Sequence, residues 1–186
     1  VSGITTFFLN EAWDAGPICH QQAVAISSEE CYGDAAPRFA RIGADLVLQS
    51  VEAIAQGTAS HIPQDDSKAT FAPLIRPEDT LLDWSWPAIK IHNRVRGLSP
   101  EPGLSAQWRE KRVRLMKTRL ISSQPEVRPG EPGEVLHADR QGLIVAAGEG
   151  ALELLMVRPE NKSSITGIDF INGARIQVGD CFGNGR

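Results

Sequence analysis

The groups in this sequence that could do chemistry are one acidic side chain in an irregular loop, a dense run of cations, and scattered thiols and imidazoles. Asp14 lies in Asn10-Glu11-Ala12-Trp13-Asp14-Ala15-Gly16-Pro17, where Asn, Asp, Gly and Pro mark a loop without regular structure. A carboxylate, with a reference pKa of about 3.9, can at neutral pH accept hydrogen bonds or hold a fixed charge beside an imidazole. From the residues alone it can equally do no more than shape the Asp-Ala-Gly-Pro turn. Cys19, Cys31 and Cys181 are odd in number, far apart and without Cys-x-x-Cys spacing, so neither a disulfide framework nor a zinc site is expected. His20, His61, His92 and His137 are just as dispersed and read as structural or surface groups, so no metal is expected.

The cations are concentrated. A net charge of -4 over 186 residues hides an acidic stretch at 1–86 with 4 basic and 12 acidic side chains, and a basic stretch at 87–128 with 10 and 3. Residues 129–186 return to acidic, with 5 and 8. A basic segment in an acidic chain suits a surface that steers a polyanion to one face and repels it elsewhere, although a solvated strand and helix surface would have the same composition. Arg112 and Arg114 alternate with Val113 and Leu115, so on a strand the two cations share one face.

The elements that must position these groups can be read from pattern. Gly3–Leu9 and Ile18–Ile26 read as strands flanking the Asp14 loop, the first expected at a parallel-sheet edge whose apolar face needs cover from another chain or is partly disordered. Ser27 and Glu30 fit a capping box, and Phe39, Ile42, Leu46, Val47, Val51 and Ile54 recur at helical spacing. Gly43 is expected to split that run into two helices, the first starting near Gly33–Ala36 and the second ending near Gly57. Residues 58–77, rich in Gln, Asp, Ser and Pro, read as a linker. Pro87 opens a short helix to Arg96, closed by Gly97, with Ile89, His92 and Val95 on one face. Beyond Pro100, short apolar runs at Val113–Ile121, Gly133–His137, Gly142–Ala147 and Ala151–Val157 predict a small antiparallel barrel or sandwich. Ser164–Asn172 supplies a turn or two of helix, and Gly179–Phe182 closes the chain. No apolar run approaches the roughly 20 residues of a membrane span, and no signal-peptide pattern opens the chain, so a cytoplasmic protein is expected.

Several of these segments, in this order, resemble one family. The Asn10–Pro17 loop is similar to the Asp-x-Gly-Leu-Asp-x-Gly segment of folate-dependent formyltransferases, with Ala12 and Trp13 in place of the usual Gly and Leu. Asp83-Trp84-Ser85-Trp86-Pro87-Ala88, followed by Ile91-His92-Asn93-Arg94-Val95-Arg96-Gly97-Leu98-Ser99-Pro100, resembles the stretch that opens their C-terminal domain. Glu101 stands where the family favours an aromatic residue. Pro132–Val135, Gly148–Leu152 and Val178–Phe182 are similar to the barrel of the methionyl-tRNA formyltransferase family.

The resemblance implies an α/β plus β fold. Residues 1–57 would be the C-terminal remnant of a Rossmann-like formyltransferase domain, 58–77 the linker, and 78–186 a small OB-like β-barrel domain that binds tRNA. It implies formyl transfer from 10-formyltetrahydrofolate to the amino group of methionyl initiator tRNA in translation initiation. Neither DNA nor membrane is implied as a partner, and the full-length protein is expected to be a monomer. Asp14 matches the family's catalytic aspartate, which orients a histidine and a water for proton relay. Glu11, Ala12 and Trp13 fall on the loop that lines the pterin pocket, mostly through main-chain groups. Arg94, Arg96, Arg109, Lys111, Arg112, Arg114 and Lys117, with Arg119 beside them, become candidate contacts to tRNA phosphates. Trp84 and Trp86 become candidates for interdomain packing. The family's Asn and His belong to an N-terminal half that these 186 residues do not contain, so the chain is expected to be a fragment inactive by itself. A sugar-amine formyltransferase, a formyl-folate hydrolase, or a non-catalytic RNA-binding barrel module are the alternatives.

Overall fold

The computed structural model describes residues 2–121 and 130–185; Arg128, part of the basic stretch, lies outside them. The chain divides into two compact units between Leu74 and Ile75.

In the first unit β1 (Ser2–Phe7) and β2 (Ile18–Val24) pair antiparallel, Ser2 opposite Val24 and Thr6 opposite His20. The expected parallel edge is thus corrected, for a reason of length: parallel pairing needs a crossover of about a dozen residues or more, and only the loop 8–17 joins these strands. α1 (Tyr32–Ala55) is one helix rather than the two expected. Pro37 removes one hydrogen-bond donor from its second turn without ending it. Gly43 faces β1, where an added Cβ would meet Ile4 Cγ2 at 3.7 Å. Ser27 and Glu30 do make the reciprocal bonds of a capping box, at 3.2 and 3.1 Å, but one turn before the helix. The residue that caps α1 is Cys31, whose N–H donates to the Asp34 carboxylate at 3.2 Å. Arg38 fastens the intervening turn by gripping both Glu30 oxygens and the Ala25 carbonyl.

The second unit is a curled antiparallel sheet with two helices. α2 (Ala88–Leu98) precedes β3 (Leu104–Trp108), β4 (Lys111–Ile121), β5 (Val135–Asp139), β6 (Gly142–Ala146) and β7 (Ala151–Pro159). β8 (Ile165–Thr166), α3 (Gly167–Ala174) and β9 (Phe182–Gly183) complete it. The strand order is β5-β6-β7-β4-β3-β9, with β8 on β7, and the two ends of this half-barrel are bridged between Glu134 and Cys181. β3 was not foreseen: Leu104, Ala106 and Trp108 do alternate with Ser105 and Gln107, but the run is only five residues long and holds no β-branched residue.

α2 continues through Gly97 to Leu98, correcting the expected end. Its buried stripe is Ala88, Ile91, His92, Val95 and Leu98, while Ile89 is half exposed, so the face expected for Ile89 is also corrected. Spacings of three and four residues put that stripe on the sheet. Each fully buried Ile, Leu or Val side chain contributes roughly 1.5–3 kcal/mol by leaving water. Trp84 packs in this unit's own core at 1% exposure, 5.6 Å from the Phe182 ring, which corrects its expected interdomain role. Two of the segments that carry the family resemblance, Asp83–Ala88 and Gly148–Leu152, meet here. Ala88 N–H donates to the Glu149 carbonyl and Gly148 N–H to the Trp84 carbonyl, both at 2.8 Å. A Cβ on Gly148 would stand 1.8 Å from the Ser85 carbonyl oxygen, so only glycine allows this approach.

Candidate active-site loop and nucleic-acid interface

The Asp14 loop is pinned at its base. Phe8 N–H donates to the Pro17 carbonyl at 2.9 Å, and a Cβ on Gly16 would lie 1.6 Å from the Phe8 carbonyl oxygen. Asp14 has φ +52°, a left-handed conformation that Asp tolerates better than most residues. Gln64 Nε2 donates to the carbonyls of Asp14 at 2.8 Å and Gly16 at 2.7 Å, while Ile62 and Ile18 exchange two backbone bonds. The His61 ring stacks on Phe8 at 4.2 Å. Residues 61–64 therefore shape the loop, although their sequence reads only as linker; nothing local signals the contact, which depends on the chain returning to β2.

Asp14 itself is exposed, as are Glu11, Ala12 and Trp13, the last at 97%. Among the described residues the Asp14 carboxylate makes no hydrogen bond, and every imidazole is engaged elsewhere. His20 lies 3.0 Å from Ser50 Oγ, His61 stacks on Phe8, His92 lies 2.9 Å from Thr118 Oγ1, and His137 pairs with Asp139 at 2.8 Å. Asp139 is held below its usual carboxylate pKa, chiefly by the Gln141 N–H and further by His137. Among the described residues no cluster of three or more His, Cys, Asp or Glu is placed to hold a metal. None of their helices is long and apolar enough to cross a membrane.

The candidate cations fall into three groups. Arg94 and Arg96 sit on α2, where Arg94 and Lys90 stand over the Trp86 ring at 4.8 and 4.1 Å. Arg94 also donates to the Asp79 carbonyl at 2.8 Å, and Arg96 to Asn93 Oδ1 at 2.9 Å. Arg112, Arg114, Lys117 and Arg119 form a row on the outer face of β4. Strict alternation would turn Lys117 inward, but the register with β7 slips on both sides of Lys117. Beyond this bulge Thr118 is buried and Lys117 and Arg119 are exposed, so one extra residue keeps all four cations on one face. Arg109 belongs to the β3–β4 turn, and Lys111, the first residue of β4, lies in the opposite phase to Arg112, at the mouth of the half-barrel.

The outer row is partly neutralised from within. Glu101, exposed, accepts from Arg114 at 3.2 Å and also from Arg158, and Arg119 Nε donates to Glu153 at 2.8 Å. The position where the family favours an aromatic residue is here the centre of an ion-pair cluster. Arg158 was missed because its value comes from standing opposite Arg114 across β4 and β7, a pairing that one strand's pattern cannot reveal.

Residues 74–175 match the model described as the C-terminal domain of formyl transferases, and the chain belongs to that family. Over almost its whole length it is similar to methionyl-tRNA formyltransferases: 36% identical over 97% of this chain to that of Carboxydothermus hydrogenoformans, and 38% over 99% to that of Solibacter usitatus. The chain spans 58% of the length of each of these two relatives. Its fold is shared with HypX from Aquifex aeolicus in complex with tetrahydrofolic acid, at 18% identity and a TM-score of 0.69, covering 95% of this chain and 31% of that one. An N-formyltransferase from Helicobacter canadensis, solved with folinic acid and dTDP-3-aminofucose, aligns at 16% identity and a TM-score of 0.58, covering 82% of this chain and 54% of that one.

Proposed function

We propose that this chain provides the aspartate loop and the tRNA-holding unit of a methionyl-tRNA formyltransferase, which moves a formyl group from 10-formyltetrahydrofolate to the amino group of methionyl initiator tRNA in the cytoplasm. The observation that carries this is the collinear 36–38% identity to relatives of that name over nearly all of the chain. On this reading the hairpin and α1 are the C-terminal part of a Rossmann-like domain, and the second unit is an OB-like barrel.

The loop suits a ligand gripped by main-chain groups. Among the described residues, the only peptide hydrogen bond from Glu11 to Trp13 is that of Ala12 N–H to Asn10 Oδ1 at 3.1 Å, which leaves the other N–H and C=O groups available to a pterin ring. The donor supplies the formyl carbon. Asp14 would accept a hydrogen bond from an imidazole or water that relays the proton released by the attacking amine. That imidazole would come from the part of the relatives' length beyond the match, and the chain by itself is then inactive. The cation row on β4 would contact phosphates, which supply affinity without sequence information.

Binding of initiator tRNA to the whole chain, followed by fluorescence anisotropy between 50 and 200 mM salt, tests the proposal. Affinity is expected to fall steeply with salt, and the Arg112→Glu/Arg114→Glu double variant to lower the log–log slope by about two, one for each phosphate that is no longer neutralised. Undetectable binding at low salt, or a slope unchanged in the double variant, overturns the tRNA-holding role.

A further inference from the structure

The mouth of the half-barrel holds a cavity of about 660 Å³ whose walls suit one nucleotide. Its interior is apolar, lined by Trp108, Val113, Ile165 and Phe170. Around the rim stand Arg109, Lys111, Lys162 and Arg175, against two carboxylates, Glu110 and Glu160. The outer row of β4 spends cations on Glu101 and Glu153, but among the described residues none of these four rim cations forms an ion pair. Arg109 lies 5.3 Å over the Trp108 ring. Arg109 and Arg175 also share an uncommon backbone, φ +54° and +52°, which for a non-glycine residue costs of order 1 kcal/mol and aims both side chains from tight turns.

We propose that this cavity takes a single unpaired nucleotide of an RNA strand, with the base over the apolar floor and its phosphates between the unpaired cations. A purely apolar ligand would leave the rim's excess of two positive charges unmet, and a base still paired in a duplex would have its edge turned to its complement instead of to Glu110 and Glu160. Glu110 and Glu160 add a selective element, because a carboxylate accepts from the exocyclic amino group of cytosine, where uracil turns a carbonyl oxygen that repels it and offers only its N3–H. The tRNA assignment bears on this proposal only as the source of the strand.

Labelled hexacytidylate, hexauridylate and the hexacytidylate strand within a duplex, titrated into the whole chain, supply the test. Hexacytidylate is expected to bind at least tenfold more tightly than the duplex and several-fold more tightly than hexauridylate. Two variants then probe the cavity without disturbing the fold. Gly173→Trp projects a ring at a cavity-lining position where an added Cβ meets nothing within 4 Å, and Arg175→Gly removes a cation while relaxing the positive φ. Each should weaken hexacytidylate tenfold or more at an unchanged or raised thermal midpoint. Unchanged hexacytidylate affinity in Gly173→Trp, or equal affinity for single strand and duplex, overturns the proposal. If whole tRNA responds to the Arg112→Glu/Arg114→Glu change but hexacytidylate ignores Gly173→Trp, the cavity fails and tRNA holding stands. Hexacytidylate bound at the cavity with no tRNA binding gives the reverse.

Discussion

The two units solve the same local problem, a helix laid on antiparallel strands, with very different means. The second unit encloses a core of 22 buried apolar residues, Ile91, Leu115 and Val145 among them without any exposure. In the first, Cys19, Val24 and Leu46 are the buried apolar side chains among the described residues, while Val47, Leu48, Val51 and Ile54 on α1 are each more than half exposed. A lone two-stranded sheet is at best marginally stable, and three buried side chains offset little of the entropy of ordering such a segment. The first unit therefore leans on directed polar bonds, and its uncovered apolar row has the character of a surface that another surface covers.

The largest expected effect separates the units by their cores. Ile91→Ala, at a site with no exposure, should cost about 3–4 kcal/mol and lower the urea midpoint of the second unit. Leu46→Ala should cost about 2 kcal/mol, since the ring of apolar neighbours around it is incomplete and can relax. Equal losses in urea denaturation of the two variants would mean that the first unit is as tightly packed as the second, and the contrast would fall.

A middle-sized effect tests the polar fastenings, which are alike in design. In the first unit the buried Ser50 of α1 lies 2.7 Å from Thr6 on β1 and 3.0 Å from His20 on β2, and donates to the Leu46 carbonyl. Because that hydroxyl proton is used, His20 Nδ1 must carry its own proton to bond Ser50. In the second unit the buried His92 of α2 meets Thr118 on β4 at 2.9 Å. Ser50→Ala and Thr118→Val should each cost about 1–2 kcal/mol by depriving buried partners of a bond. The same loss should be a larger fraction of the first unit's stability, seen as faster exchange of the β1 and β2 amides.

What the sequence disclosed divides along the same line. Most of the second unit's strands were legible because burial on one face imprints a period, and Asp83–Ala88 and Gly148–Leu152 because they carry their own turn chemistry, whereas the α2 stripe was right at His92 and Val95 and wrong at Ile89. β3 was overlooked although Leu104, Ala106 and Trp108 alternate with Ser105 and Gln107, because five residues without a β-branched side chain make a weak strand signal. Alternation placed only Arg112 and Arg114 on one face of β4; Lys117 and Arg119 were named as phosphate contacts without a face, because the bulge that turns them outward is a property of pairing with β7. In the first unit the Asp14 loop was visible as punctuation, but Gln64, which fixes it, was not. The parallel edge expected for β1 ignored how short the loop to β2 is, and the two helices expected around Gly43 gave that glycine a breaking role, although it lies inside α1 where even an added Cβ would make only ordinary contact with Ile4.

The smallest effect is a dependence on pH that differs between the units. Glu30 is held below its usual 4.5, first by its hydrogen bond from Arg38, which outweighs the opposing effect of burial. Asp83 is held below its usual 3.8, first by the Ser85 N–H that it caps. A carboxylate whose folded pKa is depressed contributes stability that is complete above the unfolded value and is lost as pH falls through the folded one. Stability of the first unit should thus begin to fall below about pH 4.5, and Glu30→Gln should flatten that decline while leaving the second unit's unchanged. Asp83→Asn, which keeps an oxygen for Ser85 N–H and removes only the charge, should do the same for the second unit at slightly lower pH. Thermal melts from pH 3 to 7 on both variants would read this out. If either variant altered both acid limbs together, the units would be melting as one, and the contrast between a self-sufficient barrel and a dependent hairpin would have to be given up.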